Sequence, residues 1–143
     1  MGGKNLIVSA SPDGILVRDK EQSSCIKPFV DAINQQVMFA EKSWGSFRVM
    51  DVGKKSLTVK VSLDPGHRMS YHSHERRAEI WTVISGSGRV ILDGVEKLVS
   101  TGDVINLPAG CKHTVIASES GLQMIEVQIG TDINASDKKK FFL

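Results

Sequence analysis

An all-β barrel behind a short α/β extension is the architecture this sequence predicts. Three features carry it: one plainly alternating segment, a dense succession of turn signals, and a hairpin dipeptide between two apolar runs. Alternation is clearest where Leu57, Val59, Val61 and Leu63 interleave with Ser56, Thr58, Lys60 and Ser62, as in a strand with one buried face. Turn signals stand at Asp64-Pro65-Gly66, Ser85-Gly86-Ser87-Gly88, Thr101-Gly102-Asp103 and Pro108-Ala109-Gly110. Proline presets φ there, and glycine takes left-handed conformations without steric cost. Asp93-Gly94, between the runs 89–92 and 95–99, marks a hairpin. Further strands are expected over 104–107, 113–117 and 122–129, giving roughly eight to ten between residues 44 and 130. Closing such a sheet turns alternate side chains into an interior that can hold a ligand.

The first forty-three residues read differently. Strands at 6–10 and 15–18 flank a Pro12-Asp13-Gly14 turn, and a helical stretch follows in which Cys25, Ile26, Phe29, Val30, Ile33 and Val37 recur at spacings of three and four. Pro28 should mark the first turn of that helix or a kink. The expected division is an extension over 1–43 and a barrel domain over 44–143.

Composition narrows the function classes. The 143 residues are 41% hydrophobic and 24% charged, ordinary for one globular domain. No apolar run approaches the ~20 residues that cross a bilayer, so no membrane partner is expected. Eighteen basic residues against sixteen acidic ones give +2, too balanced to imply nucleic acid. Met1 to Lys4 lacks the layout of a secretory signal, so a cytoplasmic location is the expectation. Two cysteines, Cys25 and Cys111, fit reduced thiols in that compartment. Lys138, Lys139 and Lys140 read as a solvated tail.

Chemistry concentrates between Gly66 and His113. His72 and His74 are two apart, so on a strand both imidazoles face one side. Glu79 adds a hard oxygen donor after a short bend, and the Gly102, Pro108, Gly110 series leads through a tight turn to His113. Three imidazoles and a carboxylate suit one divalent ion, whether Zn, Fe, Mn, Ni or Co. His67, outside this pattern, reads as a turn residue, and Cys111 as a small buried hydrophobe.

These residues resemble the two motifs of the cupin superfamily. Gly66, His72, His74, Glu79 and Gly86 fill the first motif, and Gly102, Pro108, Gly110 and His113 fill the second, with Ala117 where Asn is usual. The resemblance implies a double-stranded β-helix, a jelly-roll barrel, holding its metal through His72, His74, Glu79 and His113. Three further segments, Ser43-Trp44-Gly45-Ser46-Phe47, Arg77-Ala78-Glu79-Ile80-Trp81 and the run from Ile125 to Gly130, resemble the cupin domain of type II mannose-6-phosphate isomerases. In that family the domain commonly forms the C-terminal part of a bifunctional enzyme with mannose-1-phosphate guanylyltransferase. His72 and Arg76 stand where those enzymes usually carry Gln and His. Residues 7–20 look like the closing segment of the guanylyltransferase domain, but its Gly-rich nucleotide signature is missing. The chain is therefore expected to be an excised C-terminal piece or a short relative without guanylyltransferase activity.

The resemblance implies interconversion of mannose 6-phosphate and fructose 6-phosphate through an enediol, with the metal polarising the carbonyl and a positioned group carrying the proton. Glu126 and Lys60, each on an alternating strand, are the candidate proton carriers. Arg77, expected on the face of Glu79, and Lys60 are the candidate phosphate ligands, and Trp81 either walls the pocket or packs in the core. A second reading is a non-catalytic module of a larger guanylyltransferase that binds a sugar phosphate or sugar nucleotide. A third, an Fe-dependent dioxygenase, shares the ligand set, but the Trp44-Gly45-Ser46 and Arg77-Ala78-Glu79-x-Trp81 signals favour the isomerase lineage. A sugar phosphate is the expected partner, and a homodimer is compatible with all three.

Overall fold

In the computed structural model, residues 6–11, 14–19 and 37–143 are described. The alternating segment forms a strand whose burial follows its sequence residue by residue. Leu57, Val59, Val61 and Leu63 are buried, while Ser56, Thr58, Lys60 and Ser62 stay half-exposed on the other face. Eleven strands are described: β1 (Leu6–Ser11), β2 (Gly14–Asp19), β3 (Phe39–Lys42), β4 (Gly45–Val52), β5 (Ser56–Leu63), β6 (His72–Ser73), β7 (Ala78–Leu92), β8 (Val95–Ser100), β9 (Val104–Leu107), β10 (His113–Ile129) and β11 (Lys139–Lys140). β1 and β2 make a two-stranded hairpin of their own.

The other nine strands form one curled antiparallel sheet, the double-stranded β-helix expected of a cupin. Its order runs β11-β6-β10-β5-β4-β3, and β7 joins β10 to β8 and β9. The expected helix after residue 20, Pro28 and the Pro12-Asp13 part of the first turn lie outside the described residues. Among those described, no helix is long and apolar enough to cross a membrane. The barrel sheet starts at Phe39, ahead of the boundary expected at residue 44, because β3 pairs with β4 around Ser43 and Trp44. Phe39-Ala40-Glu41-Lys42 shows no alternation to announce it.

Residues 85–88, expected as a turn, lie inside the fifteen-residue β7, and the separate strands expected at 113–117 and 122–129 are one seventeen-residue β10. The glycines are there, but they bend the strands instead of ending them. The register between β7 and β10 shifts between Ala117 and Leu122, opposite Gly86 and Gly88. Gly86 has φ 80°, and a Cβ on it would lie 2.1 Å from the Gly121 carbonyl oxygen. Only glycine allows this close approach, which is how a long strand turns a barrel corner. Inside, Val49, Val61, Trp81, Val90, Val115 and Met124 belong to a single apolar cluster. Each contributes about 1.5–3 kcal/mol through its burial.

Candidate metal centre

β6 and β10 lie side by side with His72 directly across from His113, and His74 follows one residue past β6. All three imidazoles are buried, with ring centroids 4.4 to 5.4 Å apart. Each ring is fixed by a backbone carbonyl. His72 Nδ1–H donates to Ser70 O at 2.6 Å, His74 Nδ1–H to Asp137 O at 2.5 Å, and His113 Nδ1–H to Cys111 O at 2.9 Å. With Nδ1 carrying the proton, the lone pair of each ring sits on Nε2, the arrangement in which metal-binding histidines are held. One nitrogen from each ring lies within 4.8 Å of the other two. Burial is the first cause that lowers the pKa of all three, taking His72 down to about 3, so the imidazoles are neutral near pH 7. His113 Nε2 is buried with no hydrogen-bond partner among the described residues. A buried acceptor left in that condition is costly unless something fills it, and a divalent ion fits this donor set.

Glu79, on the inner face of β7, adds a carboxylate. Its oxygens lie 3.4 Å from His74 Nε2 and 3.9 Å from His113 Nε2. Ligands about 2.0–2.2 Å from one ion stand roughly 3–4 Å from each other, so Glu79 is placed to complete the set. Behind it, the Trp81 indole N–H is shared by two carboxyl groups, at 3.0 Å to Glu79 Oε1 and 2.9 Å to Glu126 Oε1. Trp81 is fully buried and sets its ring edge against His113 at 5.3 Å, so it is at once core and wall of the site. Burial, then the Glu79 charge, raises Glu126 well above the usual carboxyl value. Burial raises Glu79 too, but its hydrogen bond with Glu126 and the Arg77 charge outweigh that and keep it ionised. Glu126 therefore faces the site, and burial beside the Glu79 charge pushes this candidate proton carrier toward its protonated form.

Two expectations need correction. Lys60 pairs with Ile125 and stands on the opposite face of β5 from the buried Val59 and Val61, so strand alternation keeps it out of the site. Arg77, expected as a phosphate ligand, is instead folded into the ligand cluster. Its Nε donates to Glu79 Oε2 at 2.8 Å and its Nη2 to His74 Nε2 at 2.9 Å, with only 11% of the side chain exposed. His67 is exposed, as expected, and bonds the Pro65 carbonyl within its own turn. Cys111 is a buried free thiol beside the His113 turn, while Cys25 lies outside the described residues.

The C-terminal lysines are exposed, as a solvated segment would be, but the chain that carries them is not a free tail. β11 pairs with β6, Lys139 against Ser73 and Lys140 against His72, and so straps the chain end across the histidine segment. The strap is pinned by Asp137, whose buried carboxylate accepts the backbone N–H groups of Glu75 at 3.0 Å and Arg76 at 2.8 Å. Next to it Lys138, exposed yet partly dehydrated, has its pKa lowered first by burial and then by the charges of Lys140, Arg77 and Lys42. Asp137 and Lys138 were missed because strap and strand are more than sixty residues apart. The turn residues Asn134, Ser136 and Asp137 were the only local hint. Asp137→Ala should cost roughly 1–3 kcal/mol through the stranded amides and weaken divalent-ion binding about tenfold or more by loosening His74. Denaturant unfolding and chelator competition measure the two effects.

A curled jelly-roll sheet with a histidine cluster inside defines a cupin. Solved structures share the fold. The capsular polysaccharide assembling protein CapF from Staphylococcus aureus aligns with TM-score 0.66 at 18% identity, over 76% of this chain and 33% of its own. Oxalate decarboxylase from Bacillus subtilis aligns with TM-score 0.62 at 25% identity, over 71% and 29%. Within the cupins, the chain belongs to the mannose-6-phosphate isomerase C-terminal family, whose model matches residues 31–141. Among full-length relatives, mannose-1-phosphate guanylyltransferase ManC of Salmonella typhimurium is 28% identical over 149 aligned positions, which take in 99% of this chain and 31% of ManC. The mannose-1-phosphate guanylyltransferase of Escherichia coli K12 is 27% identical with the same coverage. The chain thus spans about a third of the length of these relatives.

Proposed function

We propose that this chain is a metal-binding cupin module that recognises a sugar phosphate or sugar nucleotide, of the kind found in mannose-1-phosphate guanylyltransferases. The observation that carries this reading is the convergence of three neutral, carbonyl-anchored imidazoles and Glu79 on one point. A bound divalent ion would act as a Lewis acid toward a sugar oxygen. His72, His74, His113 and Glu79 would hold it, while the ammonium of Lys138 attracts the phosphate. Trp81 and Glu126 close the inner wall, so the sugar would meet a dry face on one side and charge on the other.

A second reading, an isomerase that interconverts mannose 6-phosphate and fructose 6-phosphate, is favoured by one observation. Glu126 is a buried carboxyl group, pushed toward its protonated form by burial and the Glu79 charge, that shares the Trp81 N–H with Glu79. In an aldose–ketose shift it would deliver a proton to a developing alkoxide or enediol oxygen. Calorimetry of the metal-loaded chain with mannose 6-phosphate, mannose 1-phosphate and GDP-mannose, run beside a coupled isomerase assay, separates the two. Binding without turnover is the expected result for the module. Turnover that falls at least about a hundredfold in Glu126→Gln, with the metal retained, would establish the isomerase. Neither binding nor turnover with any of the three would contradict both.

A further inference from the structure

We propose that Arg77 is the resident counter-ion of the metal centre: its guanidinium occupies the lone pairs on His74 and Glu79 that a divalent ion uses, and ion entry displaces it. This rests on the metal-centre reading above. The contacts are specific to the ligand atoms. His74 Nδ1 is already committed to the Asp137 carbonyl, so Nε2 has one in-plane lone pair, and Arg77 Nη2 donates into it at 2.9 Å. An imidazole nitrogen cannot accept that hydrogen bond and coordinate a metal through the same pair. Arg77 Nε takes Glu79 Oε2 at 2.8 Å, the oxygen that stands 3.4 Å from His74 Nε2. His113 Nε2, by contrast, has no partner among the described residues, so the guanidinium covers one side of the cluster and leaves the other ready.

Charge balance gives the same answer. A buried carboxylate among neutral imidazoles needs a cation, and without a metal the guanidinium supplies it. A divalent ion would neutralise Glu79 in its place, and two cations at contact distance repel strongly in a buried site. Arg77 immediately precedes the first residue of β7, at the end of the ladder, so the backbone need not break for the side chain to rotate. Arg77 on this account is a positioning residue that holds the ligand atoms until the ion takes its place.

The test is a Zn(II) titration of the metal-free chain and its Arg77→Met variant against a chromophoric chelator, joined to 1H–15N spectra of the wild-type chain. Expected are Zn(II) binding at least about tenfold tighter in Arg77→Met, since one charged hydrogen bond no longer competes, and movement of the Arg77 Nε–H resonance on adding one equivalent of Zn(II). Equal or weaker affinity in a folded Arg77→Met overturns the proposal. So does an Arg77 Nε–H signal that Zn(II) leaves in place, a readout that does not depend on the variant folding. Absence of Zn(II) binding by the wild-type chain would defeat the metal-centre reading itself, whereas wild-type binding with an unmoved Arg77 defeats only this inference.

Discussion

Replacing His113 with alanine is expected to abolish stoichiometric binding of a divalent ion while the barrel still folds. His113 supplies the one imidazole nitrogen of the cluster that is both buried and free of any hydrogen bond among the described residues, and it faces His72 across the β6–β10 pair. Outer partners of ligating histidines are worth about tenfold to a hundredfold in affinity, so loss of a ligand itself should exceed a hundredfold. The change to the metal-free chain is smaller. An imidazole packed against Trp81 and His72 leaves a cavity, at roughly 1–3 kcal/mol. Thermal unfolding with and without Zn(II) separates the two effects, because an ion that binds only the folded chain adds about 2.7 kcal/mol at a hundred times its Kd. The wild-type melting temperature should rise with Zn(II), and that of His113→Ala should not. A Zn(II)-dependent rise of equal size in both chains would remove His113 from the ligand set.

Trp81→Ala should be the most destabilising single change among the site residues. The side chain is fully buried, and truncating a buried tryptophan costs roughly 3–5 kcal/mol. Its indole N–H is also the common donor to Glu79 and Glu126, so two buried carboxyl groups lose a partner together. Trp81→Phe isolates that second effect, since most of the apolar volume stays. It should cost about 1–3 kcal/mol and weaken metal binding about tenfold, because Glu79 is no longer held toward the histidines. Urea unfolding and chelator competition provide both numbers. Trp81→Phe with wild-type stability and affinity would show that the N–H shared by the two carboxyl groups orients nothing.

How much of this could be read from the sequence depends on how local each signal is. The i, i+2 spacing of His72 and His74 brings their rings together as expected, although His74 lies one residue past β6, and the alternation in β5 sets the buried face directly. Glycine signals are weaker, because a residue with positive φ ends a hairpin in one context and bends a long strand in another. Gly94 does the first and Gly86 the second. What decides between them is the partner strand, some thirty-five residues away, and no local pattern contains it.

The site divides in the same way. Ligand types and order along the chain pointed to His72, His74, Glu79 and His113, and the structure brings them together. Arg77 was correctly placed on the face of Glu79, but its attachment to two ligand atoms depends on how the chain bends between His74 and Ala78. Lys60 failed although its own strand announced it, since Leu57, Val59, Val61 and Leu63 take the buried face of β5 and leave Lys60 on the other. Glu126 was found on the inner face, but the upward push on its pKa comes from burial next to Glu79, which only packing reveals. Lys138 was legible only as part of a charge run, and Asp137 not at all, because Asp137 docks on His74, Glu75 and Arg76 more than sixty residues away.

The central claim is that one divalent ion sits among His72, His74, His113 and Glu79. Its most direct test is anomalous diffraction at the zinc edge from crystals of the Zn(II)-loaded chain. The account expects a single strong peak about 2.0–2.1 Å from Nε2 of each of the three histidines and about 2.0–2.2 Å from a Glu79 oxygen. A peak coordinated elsewhere, or histidine Nε2 atoms with no metal between them at saturating Zn(II), would contradict it.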